Sequence, residues 1–277
     1  MEIEPNVKNN KEIPAQGGPT SGRKELKISD AAQNTIHRYM NLSLGGKNIV
    51  SPYYINTKRG RDLRAMVGKG TPEEIIMEAK IWEKLKGASF EEMADKEIKQ
   101  FLIDKGIGID CSGFVVHVLD AEYWDRKHKH IWSALKISGR GFYSWLRYKL
   151  RPVENMGANT LTGWDNNIEV TVSDVRPGDL IRSKWKKVGT HHVQLVTRVE
   201  YTDEGMPSLI EYTHSTPYYG EGNGVRIGQI RITDPNRRLF EQEWLEKDSH
   251  GVNFSYEGFM TEVNDNGLRR LKALSLQ

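Results

Sequence analysis

One cysteine stands in 277 residues. An internal disulfide is therefore excluded, and Cys111 is either a small buried hydrophobe or a reactive thiol. No apolar run is long enough to cross a membrane. Charge of a single sign is lacking too: 40 Lys and Arg against 37 Asp and Glu leave a net charge of +3, which by itself implies no nucleic-acid partner. Met1 to Lys27 is polar, mixes both charges and has no apolar stretch of the secretory kind. With a single cysteine, which fits a reducing compartment, the expected location is the cytoplasm or a site reached by a non-classical export route. There is no internal repeat and no low-complexity tract. The paired short-range ligands of zinc motifs are missing, so neither a metal nor a cofactor is expected.

What is present reads as helices first and strands after, an α+β pattern. Residues 1–27, rich in Asn, Pro, Gly, Ser and charge, read as a disordered leader. Residues 28–277 read as one domain with two helical insertions, at about 57–105 and 123–165. Ser29 is placed to cap a helix running through Ile36 and Met40 to Gly45-Gly46. Thr71-Pro72-Glu73-Glu74 and Ser89-Phe90-Glu91-Glu92 both have the form of a capping box. Trp124 to Arg151 carries eight Lys or Arg and six aromatics: Trp124, Trp132, Phe142, Tyr143, Trp145 and Tyr148. That mixture suits an insertion with its own small core under a basic coat, or else a wall of a substrate groove or a surface for an anionic polymer. Strands are expected at Ile168–Val172, Asp179–Ser183, His192–Tyr201, Ser208–His214, Val225–Ile232 and Asn253–Val263.

Cys111 falls where chemistry is favoured. The run Gly108-Ile109-Asp110-Cys111-Ser112-Gly113-Phe114 puts it in the first turn of a helix, where unpaired N–H groups and the helix dipole favour a thiolate. Asp110 is the natural cap of that helix. Ser112 is a rival nucleophile on paper, but no Gly-x-Ser-x-Gly elbow surrounds it.

A thiolate needs a base, and the base needs an orienting group. Strand alternation sets His192 and Gln194 on one face, and a hairpin turning at Asp203 brings His192 opposite His214. His191, on the other face, is expected to meet solvent. His128-Lys129-His130 lies among basic neighbours and reads as a solvated face.

These residues are similar to the motifs of the NlpC-type cysteine peptidases, papain-like enzymes that cut peptide bridges in bacterial cell walls. Asp110-Cys111-Ser112-Gly113-Phe114-Val115 resembles the family's nucleophile motif. Arg176-Pro177-Gly178-Asp179-Leu180 resembles its strand entry, and His192-Val193-Gln194 its His-Val strand. Tyr212-Thr213-His214-Ser215 and Gly224-Val225 follow in the family's order, and Pro52-Tyr53 resembles its tyrosine element.

The resemblance implies a papain-like fold, with N-terminal helices packed on an antiparallel sheet. It implies Cys111 as nucleophile, His192 as base, His214 as the orienting third residue and a tyrosine beside the nucleophile, Tyr53 or its neighbour Tyr54. Tyr54, Asp110, Ser112 and Gln194 are expected to line the substrate groove. The implied substrate is a peptidoglycan stem peptide; another amidase or acyltransferase reaction, or a non-catalytic polymer-binding module, would use the same scaffold. Two departures stand out. The Gly-Gly step after the tyrosine is absent, and Gln194 replaces the glycine of His-Val-Gly.

Overall fold

The helix expected after Ser29 forms over Asp30–Met40 (α1), with Ser29 Oγ accepting the Ala32 N–H at 3.3 Å. This computed structural model describes residues 24–55, 63–136, 146, 148–185 and 189–275. Residues 1–23 of the expected leader lie outside the described residues, as do 57–62 of the first insertion and Phe142, Tyr143 and Trp145 of the second. The leader expectation fails at its end. Glu25–Lys27 (β1) pairs antiparallel with Arg198–Glu200, and Arg198 joins Glu25 at 3.0 Å.

α1 stops at Met40. Gly45-Gly46 instead turns a short hairpin, Leu42–Leu44 (β2) against Lys47–Ile49 (β3), with positive φ at both glycines. The Thr71 capping box opens Pro72–Lys86 (α2), where the Thr71 and Glu74 side chains each bond the other residue's N–H. The Ser89 box does not open a helix. Glu83 Oε1 takes the Phe90 N–H at 2.6 Å and the Phe90 ring is buried, which ties this stretch to the end of α2. The next helix starts only at Asp95–Lys105 (α3), where Glu97 accepts the Ala94 N–H.

The helix that Cys111 opens, Cys111–Lys127 (α4), is central. Phe114, Val115, Val116, Val118 and Leu119 are all fully buried, apolar on nearly every side of its first half, as expected of a helix inside a core. Each such side chain contributes roughly 1.5–3 kcal/mol through burial. They pack with α1, α3 and the inward residues Val193 and Leu195 of the sheet. In the basic-aromatic stretch, Trp132 and Tyr148 pack against this same core, and Tyr148 donates its hydroxyl to the Trp132 carbonyl.

The sheet is antiparallel and follows the order β4-β10-β5-β6-β7-β8-β9. Its strands are Asn167–Val170 (β4), Leu180–Trp185 (β5), Thr190–Tyr201 (β6), Pro207–Thr216 (β7), Gly224–Arg231 (β8), Glu243–Trp244 (β9) and Gly267–Leu271 (β10). A second core, with Val196, Ile210, Tyr212 and Ile230, covers the opposite face. The Pro-Gly-Asp motif is structural. Asp179 accepts the Arg176 N–H and a bidentate pair from Arg270 at 2.7 and 2.8 Å, tying β10 to the entry of β5.

The segment Asn253–Val263, expected as a strand, is a helix over Phe254–Met260. Asn253 Oδ1 caps it at the Tyr256 N–H, and Gly258 lies so close to Trp185 that a Cβ would overlap the indole. No helix among the described residues is long and apolar enough to cross a membrane.

Candidate functional site

Two glycines dock the segments that carry the site. A Cβ at Gly113 would fall 2.6 Å from the Gly68 carbonyl oxygen, so only glycine lets the start of α4 press against the Gly68-Lys69 loop. Gly224, at φ +110°, approaches Ser51 and Pro52 with the same intimacy. Backbone bonds then fix Pro52-Tyr53-Tyr54 between two elements. Ile109 donates to Pro52, Tyr54 donates to Ile109, and Asn223 Oδ1 accepts the Tyr53 N–H at 2.8 Å.

At the N-terminus of α4, Asp110 accepts the Gly113 N–H at 2.5 Å, as a cap should. Its carboxylate also meets Lys69 Nζ at 2.9 Å, and Lys69 reaches Ser112 Oγ at 2.6 Å and the Met156 carbonyl at 3.2 Å. Asp110 and Ser112 are therefore turned into a buried charge cluster rather than toward the groove, which corrects their expected role in substrate contact. Tyr54 is corrected as well, since its ring packs over Gly106. Gln194, 0 % exposed, lies inside the protein and not on the groove; its place in the sheet, paired to Ile181, encloses it.

The pairing that brings the histidines together differs from the expected hairpin. Leu195 lies opposite Thr213 and Val196 opposite Tyr212, with β-bulges further toward the turn. His192 and His214 are thus offset by two residues, diagonal rather than face to face. The rings still meet: His192 Nε2 and His214 Nδ1 are 2.7 Å apart. Beyond them lies a group that the sequence reading missed. Glu246 Oε1 is 3.0 Å from His214 Nε2, while its Oε2 accepts the Tyr212 hydroxyl and Ser255 Oγ, each at 2.7 Å. Arg226 Nε stands 2.5 Å from Oε1. Glu246 follows β9 by two residues in a stretch without a motif, so no local signal marks it.

Cys111, Tyr53, His191 and His192 line one cavity of about 80 Å³, together with Trp185, Thr216, Pro217, Tyr218, Phe254 and Ser255. The His191 ring is partly exposed and faces Arg182, Lys184 and Asp265, so its tie to the site is through the backbone. Cys111 Sγ is 3.9 Å from the His191 carbonyl oxygen, which places the thiol against the strand that carries His192. Trp185, Tyr218 and Phe254 form a continuous stack, with centroids 4.7 and 5.2 Å apart.

Burial governs the protonation of the pair. It pushes the Cys111 thiol up to about 12, aided by the Asp110 charge and opposed by Lys69 and the N–H groups of Val193 and Ser112. His192 is pushed down to about 3 by burial and the neighbouring His214 ring, against the pull of Glu246. Both shifts favour a neutral thiol beside a neutral imidazole. The preformed thiolate expected from helix position is not the resting state here, because enclosure outweighs the helix terminus. The Tyr53 phenol is raised well above its ordinary value by burial and the nearby Cys111 and Asp110, and remains a donor. Among the described residues, no group of three or more His, Cys, Asp and Glu is arranged to hold a metal ion.

Comparison with curated proteins gives no match, and neither does comparison with solved structures. One family profile does match, Amidase_6, described as a putative amidase domain, over residues 80–221. That is just over half of the chain. It takes in Cys111, His192 and His214 and leaves out Tyr53 and Glu246. On this match, the chain belongs to that amidase-domain family, whose chemistry is hydrolysis of the amidase type.

Proposed function

We propose that this amidase-type hydrolase is a cysteine enzyme, with Cys111 as nucleophile, His192 as base and His214 as its orienting partner. The observation that carries the reading is the contact of His192 Nε2 with His214 Nδ1, in a ring that lines the same cavity as the sole thiol. With Nε2 engaged there, Nδ1 is the ring nitrogen left for Cys111.

The chemistry follows from the neutral pair. His192 Nδ1 takes the Sγ–H proton as sulfur bonds to the amide carbonyl carbon, and the carbonyl electron pair moves onto oxygen. Two donors are near that oxyanion: the Tyr53 hydroxyl and the Cys111 N–H, which at the first helical position has no acceptor within its helix. The C–N bond then breaks, and the leaving amine receives the proton from His192. In the second half, His192 takes a proton from water as it attacks the thioester. Sulfur leaves, regains its proton from His192, and the carboxylic acid is released.

For substrate we propose an amide of a peptidoglycan stem peptide, on the strength of the ordered motifs around Cys111, His192 and His214. The stacked Trp185, Tyr218 and Phe254 would form the wall against which its apolar portion rests. The test is release of new amino groups from purified stem peptides by the wild type, Cys111→Ala and His192→Ala. A loss of roughly 10³-fold or more is expected for Cys111→Ala. Undiminished cleavage by that variant would sink the reading, while turnover of simple amides without stem-peptide cleavage would keep the chemistry and overturn the substrate.

A further inference from the structure

Glu246 exchanges no proton in the proposed reaction, yet its surroundings determine its state and that of both rings before it. Its side chain is buried, and the groups that face it are His214, Tyr212, Ser255 and Arg226, with the Tyr219 ring under Arg226 at 3.6 Å. Burial pushes the carboxyl up. His214, with hydrogen bonds from Ser255 and Tyr212, outweighs it and holds the group down to about 2. At neutral pH it is a carboxylate, which can only accept hydrogen bonds.

That single fact propagates. His214 Nε2, 3.0 Å from Oε1, must carry a proton. In the polarity that a base at His192 Nδ1 requires, this is the one proton on His214: its Nδ1 accepts, and His192 Nε2 donates across the 2.7 Å contact. His192 is left with a bare Nδ1, the form a base must have. When Nδ1 takes the thiol proton, Nε2–H keeps its partner, and the new positive charge faces a carboxylate through one intervening ring. No proton has to reach Glu246.

We propose that Glu246 is a positioning residue that fixes the proton polarity of the whole line, holding His192, through His214, in the tautomer that can accept the Cys111 proton. The proposal rests on the cysteine–histidine reading above and extends it to a residue outside the stretch matched by the family.

Because Cys111 is the sole thiol, its alkylation by iodoacetamide at pH 7 reports the base without any choice of substrate. His192→Ala sets the floor. Glu246→Leu, which removes the acceptor, should fall most of the way to that floor, within the roughly 10²–10⁴-fold range a general base commands. Glu246→Gln should stay within about tenfold of wild type. Its carbonyl can face His214 and Arg226, and its amino group can donate to the Tyr212 and Ser255 hydroxyls, so polarity survives without charge. Nitrogen NMR of histidine-labelled wild-type protein should show both His192 and His214 protonated at Nε2, and this readout requires no variant to fold.

A bare Nε2 on His192 in the wild type would overturn the proposal. So would equal alkylation rates in Glu246→Leu and wild type while His192→Ala is slow. If His192→Ala alkylates as fast as wild type, the underlying reading fails instead, and the NMR tautomers still decide the role of Glu246.

Discussion

Two buried carboxylates, Asp110 and Glu246, flank the proposed reaction centre, and what surrounds them separates their functions. Asp110 meets Lys69 Nζ, the Ser112 hydroxyl and the Gly113 N–H, so its cluster is closed upon itself. Glu246 also has hydroxyl and cationic neighbours, but one of its contacts runs through His214 to His192, which lines the cavity. A charge cluster whose hydrogen bonds turn back on the helix end and on Lys69 holds that end in place. One that ends in an available nitrogen can move a proton. The chemical ingredients are nearly the same, and the difference lies in whether the line of hydrogen bonds terminates inside or at the groove.

Breaking each cluster should therefore give opposite phenotypes. His192→Ala should lower turnover by roughly 10²–10⁴-fold while leaving the thermal midpoint nearly unchanged, read by steady-state kinetics and calorimetry. Lys69→Met should do the reverse: stranding the Asp110 charge inside the protein costs about 3–5 kcal/mol of stability, read from the urea midpoint. Below that midpoint the rate should persist. Adding Asp110→Asn to Lys69→Met should recover part of the loss, because no unpaired charge remains; equal instability of the double variant would show that the cluster acts through packing alone.

Acid should reveal the histidine–glutamate line. His192 and Glu246 both titrate lower in the folded protein than in the unfolded chain, so unfolding takes up protons and acid favours it. The His192 contribution is complete above its ordinary 6.5 and is lost as pH falls toward 3, and that of Glu246 is complete above 4.5 and lost toward 2. Stability followed from pH 7 to pH 3 should decline, and His192→Phe should flatten the upper part of that decline. The smallest effect is expected at the aromatic wall. Tyr218→Leu removes two ring contacts of roughly 0.5–1.5 kcal/mol each, and should raise KM several-fold with kcat retained. A fall in kcat instead would place Tyr218 nearer the reacting atoms than the stack implies.

Legibility in the sequence followed the range of each interaction. Ser29, Thr71 and Asp110 were readable as caps because a cap joins residues three apart. The strands from β4 to β8 were readable from alternation and turn residues. The Ser89 box failed because Glu83, on the preceding helix, claimed the Phe90 N–H. The expected strand at Asn253–Val263 failed because a capping Asn and a Gly seated on Trp185 serve a helix equally well. The hairpin put the two histidines on one face but missed their offset, since bulges at Val196/Arg198 and Glu200/Tyr201 leave no mark in composition. Tyr53 and Tyr54 were equivalent in sequence. The bridge from Tyr53 to Ile109 and the packing of Tyr54 on Gly106 separated them.

The sequence alone determined the α+β class, the cap under Cys111 and a shared face for His192 and His214, because each depends on neighbours a few residues apart or on the two-residue period of a strand. Tertiary structure decided the rest. It enclosed Cys111 and His192 until both favour their neutral forms, turned Asp110 and Ser112 toward Lys69, and brought Glu246 behind His214 across a separation of 32 residues. Burial and long-range contact are properties of the assembled core, and no local pattern encodes them.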